Sequence, residues 1–553
     1  MKFVSRVFPA LIIGFCSMQL SWADQDASAD KVKPIVKVNE GKLQGTYSEK
    51  DGLYKFLGIP YAKAPVGKLR FKAPVPAEHW AGVKDTTKFG PVSAQAFDEH
   101  EGTMEEFGGD LTNEDSLSLN IWTPNLKEKL PVMVWLHGGG NAHSSARVPG
   151  YHGDMIARRG NVVFVSLNYR LGIFGFIDMS LIGGPEYAGS VNNGVRDQML
   201  ALKWVRDNIA RFGGDPDNIT AFGESSGASD LSAMLGTGQA KTLFDKVILQ
   251  SGSAFLTRSP KSSARMNRGF FERMGVTSID QIKDLPASVL IEKQEEALKG
   301  MLETDVDLLF QPTMDSVVVK DFPLDAIRRG DTKDINMLVG TTKNELMLYT
   351  EYDPQLLDRQ PEDLPELQVL PWVAREAVSS IYKWNRPDMK PGQVSMDIYS
   401  DFAFRIPAIR MAEAQSANAQ NAWMYRFDWP IPGSELGAPH GSELAFLFGR
   451  MDDVQAKVKG ATSVAPSWTQ LSENIQDIWT AFARTGRPIA NLKDPHERDV
   501  LATLEPYSES SRSTLLLNTP LEVESDPAWL ERFIYSSMPF NGYFDEDELA
   551  ESE

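Results

Sequence analysis

The stretch "ITAFGESSGASDLSAML", residues 219–235, changes its rhythm halfway along. Its first part, Ile219 to Gly223, is a short apolar run of the kind found in a buried strand, and "ASDLSAML" after it is compatible with a helix. Between them Gly223-x-Ser225-x-Gly227 frames one serine with a glycine on either side. Such glycines let a strand turn sharply into a helix, which lifts the central side chain out of the sheet at the positive end of the helix. The order strand, tight turn, helix predicts an α/β fold with Ser225 in the position of a nucleophile. A turn with incidental serines is the bland alternative, and only the partners of a reactive serine can separate the two.

The flanking text extends the same fold. "LPVMVWLH" (130–137) and "VVFVSLNYR" (162–170) are nearly continuous in apolar residues, as strands covered on both faces are. "DQMLALKWVRDNIARF" (197–212) gathers Leu200, Leu202, Trp204, Val205, Ile209 and Phe212 at helical spacing, and "GGDPDN" then stops it. Strand, helix and strand at this interval predict a central, mostly parallel sheet flanked by helices. Earlier runs such as "SLSLNIWTP" (116–124) alternate like strands with one wet face. Residues from about 260 to 480 read as helical insertions, interrupted by strand candidates at "INMLVG" (335–340) and "NAWMYRFDWP" (421–430). A chain of 553 residues would ordinarily divide into several domains, but no repeat or linker cuts it, so 24–553 is expected to be a single domain with insertions.

A nucleophilic serine needs a base, and hydrolases with a serine in this kind of turn place the acid and then the histidine after it. Of the seven histidines only His440 and His496 follow Ser225. His496 sits among charges in "LKDPHERDV", whereas His440, in "GAPHGSELAFLFG", precedes an apolar run and is the expected base. The acid must lie between them. Glu345 in "INMLVGTTKNELMLY" follows a buried strand and so falls at the strand's carboxyl end, where such sheets hold their sites. Asp315 in "FQPTMDSVVV" is the rival, with a turn-capping role as its own alternative. Donors for an oxyanion are expected from "WLHGGGN" (135–141), where Gly139 and Gly140 follow a buried strand with bare backbone, and from the N–H of Ser226. No Lys-Ser/Thr follows these glycines, so they do not read as a phosphate-binding loop. Neither a GxGxxG after a strand nor an H-x-x-x-H pair is present, and no cofactor or metal is expected.

Composition narrows the partners. With 42% hydrophobic and 24% charged residues the chain has an ordinary globular balance, and its formal net charge of −19 without a basic cluster argues against nucleic acid. The acidic end "YFDEDELAESE" (543–553) reads as a solvated tail. At the other end Lys2 and Arg6 precede the apolar run "VFPALIIGF" (7–15), and Ser21 and Ala23 are small residues two apart in a cleavage position. This predicts a signal peptide over 1–23, cleaved after Ala23, and hence a secreted or periplasmic protein. The run is too short to span a bilayer, which takes about 20 apolar residues. Cys16, the only cysteine, lies inside this segment, and the bulky Phe15 before it argues against lipidation.

Taken together, "FLGIPYAKAPVGKLRF", "NEDSLSLNIWTP", "VMVWLHGGG", "NYRLGIFGF", "NNGVRDQMLALKWVRDNIARFGGDPDNITAFGESSGA", "LQSGS", "GTTKNE", "PHGSELAFLFG" and "WTAFARTGRP" resemble the type B carboxylesterase family, in that family's order, from about residue 34 to at least 490. The resemblance implies the α/β-hydrolase fold and hydrolysis of small-molecule carboxylic esters. It places the nucleophile on Ser225, the acid on Glu345, the base on His440 and the oxyanion donors on Gly139, Gly140 and Ser226. It further implies that Ser251 of "LQSGS" donates a hydrogen bond near the acid, and that Arg70 pairs with Glu114. Phe255 and Arg258, after "LQSGS", are candidates for the acyl side of the pocket.

Three departures stand out. Ser93 and Ser116 occupy positions where many members have a disulfide, so the loop between them is expected to be open or held by packing. "FDEHEGTMEEFGGD" (97–110) lacks the tryptophan by which cholinesterases bind a cationic head, so choline esters are not implied. Ser226 replaces the usual alanine and Leu346 the usual glycine, and neither change removes a catalytic group; a role for the Ser226 hydroxyl is not apparent. A lipase, lactonase or amidase would share the triad. A non-catalytic binding protein of the neuroligin kind would have lost part of it.

Overall fold

The computed structural model describes residues 33–96, 112–302, 309–351, 353–363, 372–419, 421–493 and 499–536. The expected signal peptide, the 97–110 stretch, His496 and the acidic tail lie outside the described residues. An eleven-stranded sheet organises the rest. In chain order its strands are β1 (Thr46–Ser48), β2 (Leu53–Pro60), β3 (Ser118–Thr123), β4 (Leu130–Leu136), β5 (Val163–Leu167), β6 (Gly214–Glu224), β7 (Lys246–Gln250), β8 (Asn336–Thr342), β9 (Ala422–Phe427), β10 (Ser513–Leu517) and β11 (Glu522–Ser525). Across the sheet the order is β1-β2-β3-β5-β4-β6-β7-β8-β9-β10-β11. From β5 to β10 every neighbouring pair is parallel, and only the two flanks are antiparallel.

The apolar runs become central strands because they can bury both faces. Val132, Val134 and Leu136 of β4 enter one core while Met133 and Trp135 enter the other, as the two-residue period of a strand requires. Helix α1 (Asn193–Asn208) continues as a 3₁₀ turn over Ile209–Phe212 and ends at Gly213, whose φ of 81° is the left-handed conformation favoured by glycine. It starts four residues before the expected 197. It opens on the buried polar Asn193, whose Nδ2 donates to Phe71 O at 2.8 Å, and apolar spacing does not reveal such a start. Helix α2 (Ser226–Leu235) follows β6 directly and is buried along its whole length.

Between 260 and 485 the chain is helical as expected, with α3 (Pro260–Met274), α4 (Trp372–Asn385), α5 (Pro391–Ser400), α6 (Ile406–Ala419) and α7 (Pro466–Thr485) among its longer helices. The two apolar interruptions are β8 and β9, both inside the main sheet. A π-helical turn over Asp401–Arg405 joins α5 to α6. Because β6, β7 and β8 are parallel neighbours, the turns after them lie side by side at one edge of the sheet, which is where a site in this kind of fold is assembled.

Candidate active site

Ser225 sits between the end of β6 and the start of α2 with φ 55° and ψ −124°, a conformation that costs a non-glycine residue on the order of 1–3 kcal/mol. Tight packing holds it there. A Cβ on Gly227 would stand 2.3 Å from Leu136 O, one on Gly223 2.8 Å from the same oxygen, and one on Gly252 2.2 Å from Ser225 O. Ser225 N–H donates to Gln250 O at 2.9 Å, tying the turn to β7.

The histidine and the acid arrive from separate loops. Glu345 follows β8, and its Oε1 accepts the N–H of Thr342 at 2.8 Å. His440 Nδ1 lies 2.6 Å from Glu345 Oε2, and the His440 N–H donates to Glu345 O at 3.1 Å. The carboxylate can only accept, so the proton belongs on Nδ1 and the lone pair on Nε2. Nε2 is buried and makes no hydrogen bond in the structure, although Glu224 Oε1 lies 3.1 Å away. Phe404, from the π-helical turn, packs on the imidazole at 5.2 Å between ring centres.

Two further carboxyls join this group without having been foreseen. Glu224 immediately precedes Ser225, and Glu443 lies three residues after His440; both are buried. Gln250 Nε2 donates to Glu443 Oε1 at 3.0 Å, and Trp479 Nε1 donates to Gln250 Oε1 at 3.0 Å. Burial pushes Glu224 up to about 8, against the pull of His440, and Glu443 up to about 7. Burial works against the imidazolium, but the charges of Glu224 and Glu345 outweigh it and raise His440 to about 9. The His440 and Glu224 titrations are linked: when Glu224 is protonated, His440 loses one of its two close anions and its pKa falls. An acidic neighbour to the nucleophile is visible in "GES", but its reach to His440 is made by the fold.

The glycine loop passes beside the elbow. Gly139, Gly140 and Asn141 have φ of 104°, 60° and 57°, three successive left-handed residues. Among the described residues no protein acceptor takes the N–H of Gly139, Gly140 or Ser226. Asn141, which sequence reasoning passed over, is 1% exposed and hydrogen-bonded through all of its polar groups.

The remaining candidates separate. Asp315 Oδ1 accepts the N–H groups of Val317, Val318 and Val319 at 3.0, 2.8 and 3.1 Å, which is the turn-capping role. Ser251 is fully buried after β7, but its hydroxyl makes no hydrogen bond; both oxygens of Glu345 are already engaged, by Thr342 and His440. Phe255 stands in the turn after Gly252 and packs edge-on against Phe402 at 5.3 Å. Arg258 is buried, donates to Ser262 Oγ at 3.2 Å and is tied through its backbone to Pro312 and Met314. Arg70 grips both carboxylate oxygens of Glu114, with Nε to Oε2 at 2.8 Å, and also donates to Lys283 O and Leu285 O at 2.8 and 2.6 Å. Ser93 and Ser116 Oγ lie 2.9 Å apart, and Ser93 Oγ donates to Tyr169 O at 2.7 Å, so hydrogen bonds join the described ends of that loop. No group of three or more metal-ligating side chains occurs among the described residues, nor does a helix long and apolar enough to cross a membrane.

This architecture is shared with known enzymes. The model of the carboxylesterase family matches residues 32–528. Para-nitrobenzyl esterase of Bacillus subtilis is 36% identical over 497 residues, covering 89% of this chain and 96% of the relative. Phenmedipham hydrolase of Pseudarthrobacter oxydans is 32% identical over 468 residues, covering 82% and 91%. Among solved structures, a thermophilic pNB esterase superposes with a TM-score of 0.77 at 34% identity, covering 91% of this chain and all of that one, 100%. A Geobacillus stearothermophilus carboxylesterase superposes at 0.76 and 34%, covering 91% and 99%. A match of this length, with the sheet order and elbow described above, makes the chain a member of the carboxylesterase family, a carboxylic ester hydrolase with the α/β-hydrolase fold.

Proposed function

We propose that the protein hydrolyses small-molecule carboxylic esters through a Ser225–His440–Glu345 triad and an acyl-enzyme. The observation that carries this reading is the 2.6 Å contact of His440 Nδ1 with Glu345 Oε2, which orients a buried imidazole with Nε2 available as base. Ser225 Oγ attacks the ester carbonyl carbon as its proton passes to His440 Nε2, and Glu345 stabilises the imidazolium. The oxygen that becomes negative is held by the N–H groups of Gly139, Gly140 and Ser226, which have no protein acceptor among the described residues to give up. Collapse expels the alcohol, which takes the proton from His440. Water then repeats the sequence on the acyl-serine and releases the acid.

The test is a series of p-nitrophenyl esters of rising acyl length on the wild type and on Ser225→Ala and His440→Ala. Loss of either side chain is expected to lower kcat on the order of 10⁴–10⁶. Substantial turnover by Ser225→Ala would refute the assignment. We infer from the basic and apolar text of residues 1–23 that the protein is exported. An intact mass starting at Asp24 is the expected result, and retention of residues 1–23 on protein recovered from its host would overturn it.

A further inference from the structure

The Ser226 hydroxyl, where the family resemblance implies alanine, is engaged. Its Oγ accepts the N–H of Asn141 at 3.1 Å. Asn141 is the last of the three left-handed residues of the glycine loop, a conformation that asparagine adopts more readily than most non-glycine residues. Its other polar groups are also bound. Asn141 O accepts Gly172 N–H at 2.7 Å, Oδ1 accepts the Tyr169 hydroxyl at 3.3 Å, and Nδ2 donates to Asp230 Oδ1 at 3.1 Å and to Phe310 O at 3.2 Å. Asp230 Oδ2 in turn accepts from Gln198 Nε2 on α1. Asp230 and Gln198 are 0% exposed.

Ser226 and Asp230 stand four residues apart on α2, one helical turn, and therefore project from the same face. That helix begins with the residue whose N–H is one oxyanion donor, and its two side chains grip the residue that follows the other two donors. We propose that the Ser226 hydroxyl and the Asp230 carboxylate are positioning groups that lock the Gly139–Gly140 loop to α2, so that the three donors keep a fixed mutual geometry. The inference rests on the oxyanion reading given above. Donors act on a developing oxyanion only within about 2.7–3.1 Å, so a loop freed by a few tenths of an ångström loses transition-state binding and not ground-state binding. Losing a whole donor costs about 10²–10³ in kcat, and a loosened one costs less.

The experiment compares Ser226→Ala, Asp230→Ala and Asp230→Asn with the wild type, measuring kcat, KM and inhibition by an alkyl trifluoromethyl ketone, which forms a tetrahedral oxyanion on Ser225. The matching methyl ketone, which binds without that charge, is the control. For Ser226→Ala, kcat and trifluoromethyl ketone affinity are expected to fall together, by about 5- to 30-fold, with KM and methyl ketone affinity within about twofold. Asp230→Ala should act in the same sense, and Asp230→Asn, which keeps an acceptor for Asn141, should recover most of the loss. Thermal melts establish that each variant is folded, and Ser226→Ala, which deletes one oxygen, decides the question if Asp230→Ala does not fold. Unchanged kcat and trifluoromethyl ketone affinity in Ser226→Ala overturn the proposal, as does an equal fall for both ketones. Failure of the oxyanion reading itself would look different: the wild type would then bind the trifluoromethyl ketone no better than the methyl ketone.

Discussion

Glu224 is the residue whose position bears most on the proposed chemistry. It supplies no attacking atom, yet its carboxyl lies 3.1 Å from His440 Nε2, the nitrogen that takes the proton of Ser225 in the proposed triad. An anion there stabilises the imidazolium in the transition state, and the same anion raises the pKa of the resting imidazole. The enzyme gains from the first effect only at a pH where His440 has given up its proton. Raised to about 9 by Glu224 and Glu345 against the opposing effect of burial, His440 as the proposed base is expected to set an acid limb on the kcat/KM profile. Glu224→Gln removes one of the two anions, lowers the pKa of the base and should move that limb to lower pH by about one unit, while kcat on the plateau falls. A kcat/KM profile from pH 5 to 10 measures both. A limb that stays in place would mean that Glu224 carries its proton throughout.

At the scale of elements, the elbow is a junction of three strands and a helix in which the backbone itself is the obstacle. Gly252, in the turn after β7, lies against the carbonyl of Ser225 so closely that a Cβ would fall at 2.2 Å. Gly252→Ala therefore has to displace Ser225 or the turn after β7. A shift of about 1 Å is enough to cost about 100-fold in kcat. We expect that loss with a lowered melting temperature, and wild-type kcat in Gly252→Ala would show that the turn can yield. This junction also marks what the sequence could and could not tell. Strands β4, β5, β6 and β8 were legible because burial on both faces leaves an apolar run, while the short β7 passed unread; Ser225, Glu345 and His440 stood out as candidates because each occupies a strand end or a glycine turn in a fixed order. Glu224 in "GESSG" and Asp230 in "ASDLSAML" look like surface residues in the sequence, since nothing local says that an acid will be buried. Asn141 and Asp230 are 89 residues apart in the chain, and only the sheet brings them together. The pairing of Arg258 with 312–314 is hidden in the sequence for the same reason: those residues come from a distant segment.

Across the whole molecule, stability has to come without disulfides, because Cys16 is the only cysteine in the chain. Most of it comes from the two apolar cores on either face of the sheet. Between them and the loops run a few buried ionic ties, of which Arg170–Asp197 is the most enclosed. Arg170, after β5, meets Asp197 of α1 through Nε to Oδ2 and Nη2 to Oδ1, both at 2.7 Å, and Arg170 Nη1 donates to Lys72 O at 2.7 Å. Burial raises the Asp197 carboxyl above its ordinary value even with Arg170 beside it, so for this carboxylate leaving water costs more than the attraction of Arg170 returns. Such a pair specifies where a strand end docks on a helix more than it adds to net stability. Removing one partner strands the other. Arg170→Met should therefore destabilise the fold by about 3–5 kcal/mol, because Asp197 is left buried and unpaired. Arg170→Met combined with Asp197→Leu should recover much of that loss, because the double variant leaves no bare charge. Urea unfolding of the wild type, both single variants and the double variant measures the coupling. If the double variant is as unstable as the sum of the singles, the two side chains act independently and the tie is not a pair in energetic terms.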